Sequence, residues 1–195
     1  MAKIMKVFII LLLSIVTVAC SASKEEIEQS FPMALEVQEF EAVNQDGVTV
    51  SLSDLKGKVW VASTIFTNCD TVCLPMTANM AKLQQKLNEE NVEATLVSFS
   101  IDPERDTLDV LKDFAQVYDA DFSNWHFLSG YSQEEIESFI NKSFMSPAAQ
   151  LEGSDQFMHS TSIFLVSESG TVVQQYSGVS DVPYEQIVED IKKIN

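Results

Sequence analysis

Two short apolar runs, residues 59–66 and 94–101, constrain this chain more than anything else in it. Each is rich in β-branched and aromatic residues at both odd and even positions, so neither face suits water, and each is too short for a buried helix. Both read as central strands covered on two sides. Between them Met76, Met80, Leu83 and Leu87 recur at helical spacing, with Pro75 tolerated in the first turn. Core packing is therefore the reading for Met76 and Met80.

The remaining elements follow the same logic. Leu108, Leu111, Ala115 and Tyr118 mark a second helix, residues 125–128 a short strand, and Ser132 with Glu135 a capping box that opens a helix through Ile136, Phe139 and Ile140. Residues 162–166 and 172–176 flank Ser167-Glu-Ser-Gly170 as a hairpin, and Tyr184, Ile187, Val188 and Ile191 close the chain with a helix. Upstream, Val37, Phe40 and Val43 form one extended run and Val48 and Val50 another, joined by the turn residues Asn44-Gln-Asp-Gly47. Residues 142–158 show no period and read as a long loop, a class that is often functional. Strands alternating with helices make an α/β protein. The order corresponds to a thioredoxin-like fold, a central mixed sheet flanked by helices, with an added N-terminal β-hairpin.

The first residues belong to export rather than to the fold. Lys3 and Lys6 precede thirteen residues, 7–19, that are apolar except for Ser14 and Thr17. That is too short to span a bilayer but suits a secretory signal. Ala19 followed by Cys20 resembles a bacterial lipoprotein signal, in which the cysteine is lipidated and becomes the first residue; Thr17 departs from the usual Leu, Val or Ile. The alternatives are an ordinary signal peptide or an uncleaved anchor. The expected organisation is a signal at 1–19, a lipidated and flexible tether at 20–33, and one domain at 34–195. The expected location is the extracytoplasmic side of the cell membrane, where disulfides persist.

Charge narrows the partners. The chain carries a net charge of −17, and loss of residues 1–19 would remove two lysines and no acids. So acidic a surface excludes nucleic acid and electrostatic docking on anionic lipid, and favours cations and basic protein faces.

Cys69 and Cys73 sit four positions apart, where the strand ending near Phe66 hands over to a helix. One helical turn lets both sulfurs face the same way, to share a ligand or to close a disulfide. Such a position, at the carboxyl end of a central strand, is where open α/β sheets bind ligands. His159 stands at the end of the long loop, just before another strand, whereas His126 lies within a strand candidate and reads as an ordinary satisfied histidine. Two thiolates and an imidazole select copper or zinc over calcium or magnesium, and a three-ligand set suits Cu(I) and can also hold Cu(II). On residues alone, a metal site and a disulfide pair both remain open.

Three segments carry a resemblance. Ile65-Phe-Thr-Asn-Cys-Asp-Thr-Val-Cys73, Ser98-Phe-Ser-Ile-Asp-Pro-Glu-Arg-Asp-Thr107 and His159-Ser-Thr-Ser-Ile-Phe-Leu are similar to the signature segments of the Sco/SenC family, and the chain most resembles Sco lipoproteins of Gram-positive bacteria. The resemblance implies a membrane-tethered copper protein with ligands Cys69, Cys73 and His159. Its implied task is to deliver copper to the CuA centre of cytochrome c oxidase subunit II, or to set that subunit's thiol redox state. Other copper chaperones or thiol reductants are implied as further partners. Leu74 stands where many members have proline, and Met158 where many have an acid.

The implied protein is an assembly factor and not a turnover enzyme; the alternative is an extracytoplasmic thiol:disulfide oxidoreductase using Cys69 and Cys73. A thioredoxin-type enzyme would have two residues between its cysteines and a proline near His159, where this chain has three and none. A peroxiredoxin would have threonine and proline where Phe66 and Ala62 stand. Further expectations are that the helix near Pro75 aims its N-terminus at the sulfurs, that residues 142–158 form a mobile loop carrying His159, and that Met145 and Met158 offer transient soft ligands.

Overall fold

A computed structural model describes residues 23–69 and 73–195, with the Cys73 side chain outside the description. The signal, Cys20 and residues 70–72 lie outside the described residues. Among those described, no helix is long and apolar enough to cross a membrane.

The two apolar runs are adjacent central strands. β4 (Trp60–Ile65) pairs in parallel with β5 (Thr95–Ser100), in register from Trp60 opposite Thr95 to Ile65 opposite Ser100. Alternate residues feed opposite cores, which explains the unbroken hydrophobicity. Trp60, Ala62, Val97 and Phe99 belong to one cluster, while Val61, Ile65 and Leu96 belong to the other. The first core is aromatic: Phe99 lies 5.3 Å from Phe40, 5.0 Å from Phe139 and 6.2 Å from Phe144, centroid to centroid. The second is covered by α3 (Cys73–Glu89), α4 (Leu108–Gln116) and α6 (Tyr184–Ile194), through residues such as Leu83, Leu111 and Ile187. Met76 and Met80 are core residues, each 1% exposed.

Eight strands form the main sheet in the order β1-β10-β9-β4-β5-β6-β2-β3. Here β1 is Leu35–Glu36, β2 Glu41–Asn44, β3 Thr49–Ser51, β6 Trp125–Ser129, β9 Ser162–Val166 and β10 Thr171–Ser177. The expected N-terminal hairpin is β2–β3, its turn made by Gly47 at φ 78° and by the Asn44 side chain, which accepts from the Asp46 and Val48 amides at 3.0 and 2.9 Å. The run from Val37 to Val43 is not one strand, however. β1 pairs with β10 at one edge, and β2 pairs with β6 toward the other. Six inter-strand steps of a flat sheet would separate them by about 29 Å, whereas the five residues from Glu36 to Glu41 reach at most about 18 Å. The sheet must therefore curl around the aromatic core, and Phe40 in the crossing segment packs on Phe99 and Phe139 as the curl requires.

Two further expectations need correction. Residues 24–29, expected to be tether, form helix α1 (Lys24–Gln29), capped by Ser23 and Glu26 and docked by a 2.7 Å Lys24–Glu168 ion pair, with Ile27 and Phe31 on the second core. A short helix, α2 (Leu52–Leu55), follows β3. Residues 142–158 are not a loop: α5 (Gln133–Phe144) continues to Phe144, and Met145 at φ 47° ends it. β7 (Ala148–Gln150) then pairs with β8 (Phe157–His159) as a separate hairpin, Ala148 opposite His159. Strands of three residues are too short to show a period.

Candidate metal centre

The Cys69 loop leaves the carboxyl end of β4, and its first residues are pinned. Thr67 donates its amide to both Asp106 oxygens at 3.1 and 3.3 Å and its hydroxyl at 2.6 Å, while Ser100 Oγ donates at 2.5 Å. Asp106 is wholly buried, and burial pushes its carboxyl above the usual range although the Ser100 and Thr67 hydrogen bonds pull the other way. Two residues on, Cys69 is 7% exposed and packs in the aromatic core cluster. Cys73 is the first residue of α3. A helix start there presents backbone N–H groups and the positive end of the dipole, the environment that favours thiolates.

His159 is brought to the same strand end. Antiparallel pairing of β9 with β4, Ala62 opposite Phe164, lays residues 159–160 beside Thr64 and Phe66. His159 Nδ1 lies 2.8 Å from the Ser160 carbonyl and 3.0 Å from Thr64 Oγ1, and the ring meets Phe66 edge-on at 5.6 Å. A carbonyl can only accept, so that contact assigns the proton to Nδ1 and the lone pair to Nε2. Metal-bound histidines are commonly oriented in this way. Among the described side chains, which exclude Cys73, no three His, Cys, Asp or Glu groups are gathered at metal-binding spacing.

Burial holds the His159 imidazole below its usual 6.5, against the pull of the Ser160 carbonyl, and burial lowers His126 likewise. A depressed histidine stabilises the fold above its unfolded value, and that contribution is lost as pH falls through the folded value. Acidifying the metal-free protein below about pH 6.5 is therefore expected to lower its urea midpoint. The slope should be shallower in His159→Gln; an unchanged slope would remove the imidazole from this account.

His126 stays apart, on β6 opposite Val97 with Nδ1 3.4 Å from Asn44 Nδ2, as an ordinary histidine should be. Met145 and Met158 are 76% and 49% exposed, Met158 on a strand position alternate to His159. The corrected hairpin also changes how His159 is carried: it ends a paired strand rather than a mobile loop.

Sequence reasoning missed a polar bracket around the site. Arg105 Nε donates to Asp102 at 2.5 Å, and the same guanidinium donates to the Asp155 carbonyl and pairs with its carboxylate at 3.4 Å. Asn68 Nδ2 donates to Asp155 at 3.1 Å, and Gln156 Nε2 donates to the Asn68 carbonyl at 3.0 Å. Arg105 and Asp106 lie inside a signature segment and could have been singled out; Asp155 and Gln156 sit in a polar stretch with no signal of their own.

The SCO1/SenC family model matches residues 28–195. The SCO1 protein homolog of Bacillus subtilis (strain 168) is 48% identical over 173 residues, 89% of each chain. Three solved structures bracket the likeness. A SCO1/SenC family lipoprotein from Bacillus anthracis str. Ames gives a TM-score of 0.80 at 47% identity, covering 82% of this chain and 95% of that one. BsSco, a member of the Sco family of cytochrome c oxidase assembly proteins in which a disulfide switch was identified, gives 0.78 at 50%, covering 84% and 95%. Arabidopsis thaliana ScoI with copper bound gives 0.67 at 25%, covering 80% and 96%. The thioredoxin-like expectation is borne out by these neighbours, and the chain belongs to the SCO1/SenC family.

Proposed function

We propose that this chain binds copper through the thiolates of Cys69 and Cys73 and Nε2 of His159, and that it carries the metal as cargo for assembly of the CuA centre in cytochrome c oxidase subunit II. The observation that carries the reading is the His159 imidazole, oriented by the Ser160 carbonyl against the strand end from which the Cys69 loop departs. The donor set fits: soft sulfur and borderline nitrogen, near a helix start that favours thiolate. The copper-bound Arabidopsis relative and the oxidase-assembly role of BsSco support it.

Reduced Cys69 and Cys73 release protons as they become ligands, while neutral His159 supplies nitrogen. Closing a disulfide withdraws two ligands at once, so metal loading and thiol redox state are coupled. The chain acts stoichiometrically, not as a turnover enzyme. Residues 1–19 act as the signal and Cys20 as the lipidated first residue, holding the folded domain, helix α1 included, at the outer face of the membrane; the lipoprotein relative from B. anthracis supports this.

Complementation tests the reading. In a host lacking this gene, His159→Ala is expected to fail to restore assembled, copper-loaded oxidase although both cysteines remain. Near-complete restoration by His159→Ala, with Cys69→Ser inactive, would replace copper delivery by thiol reduction of subunit II.

A further inference from the structure

The hairpin that ends in His159 and the loop that carries Cys69 are separate segments, far apart in sequence, and Gln156 Nε2 on the Asn68 carbonyl is one direct tie between them. Arg105 occupies the junction. Its Nε donates to the Asp102 carboxylate, which is buried at 3% exposure, while its other nitrogens engage Asp155 at the hairpin tip through the main-chain carbonyl and the side chain. The guanidinium also lies over the Phe157 ring, 5.9 Å from its centroid, and Phe157 packs edge-on against Phe66 at 5.3 Å. Asp155 in turn accepts from Asn68, next to Cys69. The fixed end is rigid: Asp102 and Asp106 belong to one turn, closed by the Asp106 amide on the Asp102 carbonyl at 2.9 Å. Adjacent residues of that turn thus hold the two segments, Asp106 gripping the cysteine loop through Thr67 and Arg105 gripping the hairpin.

We propose that Arg105 is a positioning residue that latches the His159 hairpin to the Cys69 loop, so that the distance between imidazole and sulfurs is set by a side chain that never touches the cargo. Only a planar fork can serve Asp102 and Asp155 together; a lysine ammonium can keep the ion pair with Asp102 but cannot span both. The Arg105–Asp155 pair is solvent-exposed, and such a pair contributes little to global stability, while Arg105→Lys keeps a cation beside the buried Asp102. The latch therefore acts on local opening of the hairpin rather than on the fold. This inference rests on the copper reading for its consequence, not for its geometry.

Arg105→Lys and Asp155→Ala, each in the full chain, test it in two steps. In the metal-free protein, amide exchange over residues 148–150 and 157–159 should accelerate at least about tenfold, with exchange in β4 and β5 and the global unfolding midpoint unchanged. With Cu(II), the thiolate charge-transfer band should persist, while affinity falls about 10–100-fold and the imidazole nitrogen coupling in the electron paramagnetic resonance spectrum weakens. Wild-type exchange in the hairpin of both variants would overturn the latch, and so would faster exchange with unchanged copper affinity. Failure of the wild type itself to bind copper would overturn the copper reading instead, a result the metal-free exchange keeps separate.

Discussion

Oxidising the cysteine pair is expected to lower copper affinity by at least about a thousandfold. Losing only an outer hydrogen-bond partner of a metal-bound side chain costs roughly 10–100-fold, and a disulfide would withdraw two of the three proposed ligands. The remaining imidazole offers one nitrogen, which cannot by itself select or retain Cu(I). The same logic makes loading pH-dependent, because two thiols must shed protons to bind. Competition against a Cu(I) chelator, run on reduced and oxidised protein side by side, measures the ratio. Equal affinities in the two states would uncouple metal from redox state and remove the basis for a switch.

The second large effect is structural. Asp106→Ala is expected to destabilise the domain by about 3 kcal/mol, because it removes the acceptor of the buried Ser100 Oγ and of the half-buried Thr67 N and Thr67 Oγ1, and a buried donor left without an acceptor costs about 1–3 kcal/mol. Part of that loss is offset, since burying the carboxylate is itself unfavourable and raises its pKa. The sign with pH follows. An acid whose folded value is raised contributes most below its unfolded value, 3.8, and that contribution fades as pH rises through the folded value. Asp106→Asn has no such titration, so wild type should gain on Asp106→Asn as pH falls from neutral toward 4. Urea unfolding of wild type, Asp106→Ala and Asp106→Asn at two pH values measures both terms. An Asp106→Ala cost under about 1 kcal/mol would mean that water replaces the carboxylate as acceptor.

The buried strands were legible in the sequence because their physics is local. Residues 59–66 and 94–101 are apolar on both faces since each feeds two cores, and a βαβ order leaves few ways to arrange them. The β2–β3 turn was legible for the same reason, Asn44 and Gly47 supplying its geometry. What escaped was set at long range. Val37 to Val43 reads as one strand until the curl of the sheet sends β1 and β2 to different neighbours, a decision made by Phe40 against Phe99 and Phe139 rather than by local pattern. Ala148 to Gln150 has weak strand propensity and gains its pairing only opposite Phe157 to His159. α1 has its capping box in the sequence, but its apolar content is one residue, Ile27, and its docking depends on Glu168.

The candidate site divides the same way. Cys69, Cys73 and His159 stood out because few residue types can hold a soft metal. The side chains that arrange them did not: Thr64, Asp155 and Gln156 are common polar residues whose roles exist only once β9 lies beside β4 and the hairpin tip meets Asn68.

The central claim is that two thiolates and one imidazole make a single copper site, and a copper titration of the reduced protein tests it most directly, followed by absorbance in the thiolate-to-Cu(II) charge-transfer region. The account predicts a sharp endpoint at one equivalent, with the band lost in Cys69→Ser and in Cys73→Ser and with Cu(II) affinity sharply reduced in His159→Ala. No stoichiometric endpoint in the reduced wild type, while the cysteines still cycle freely to a disulfide, would contradict it and leave an extracytoplasmic thiol reductant in its place.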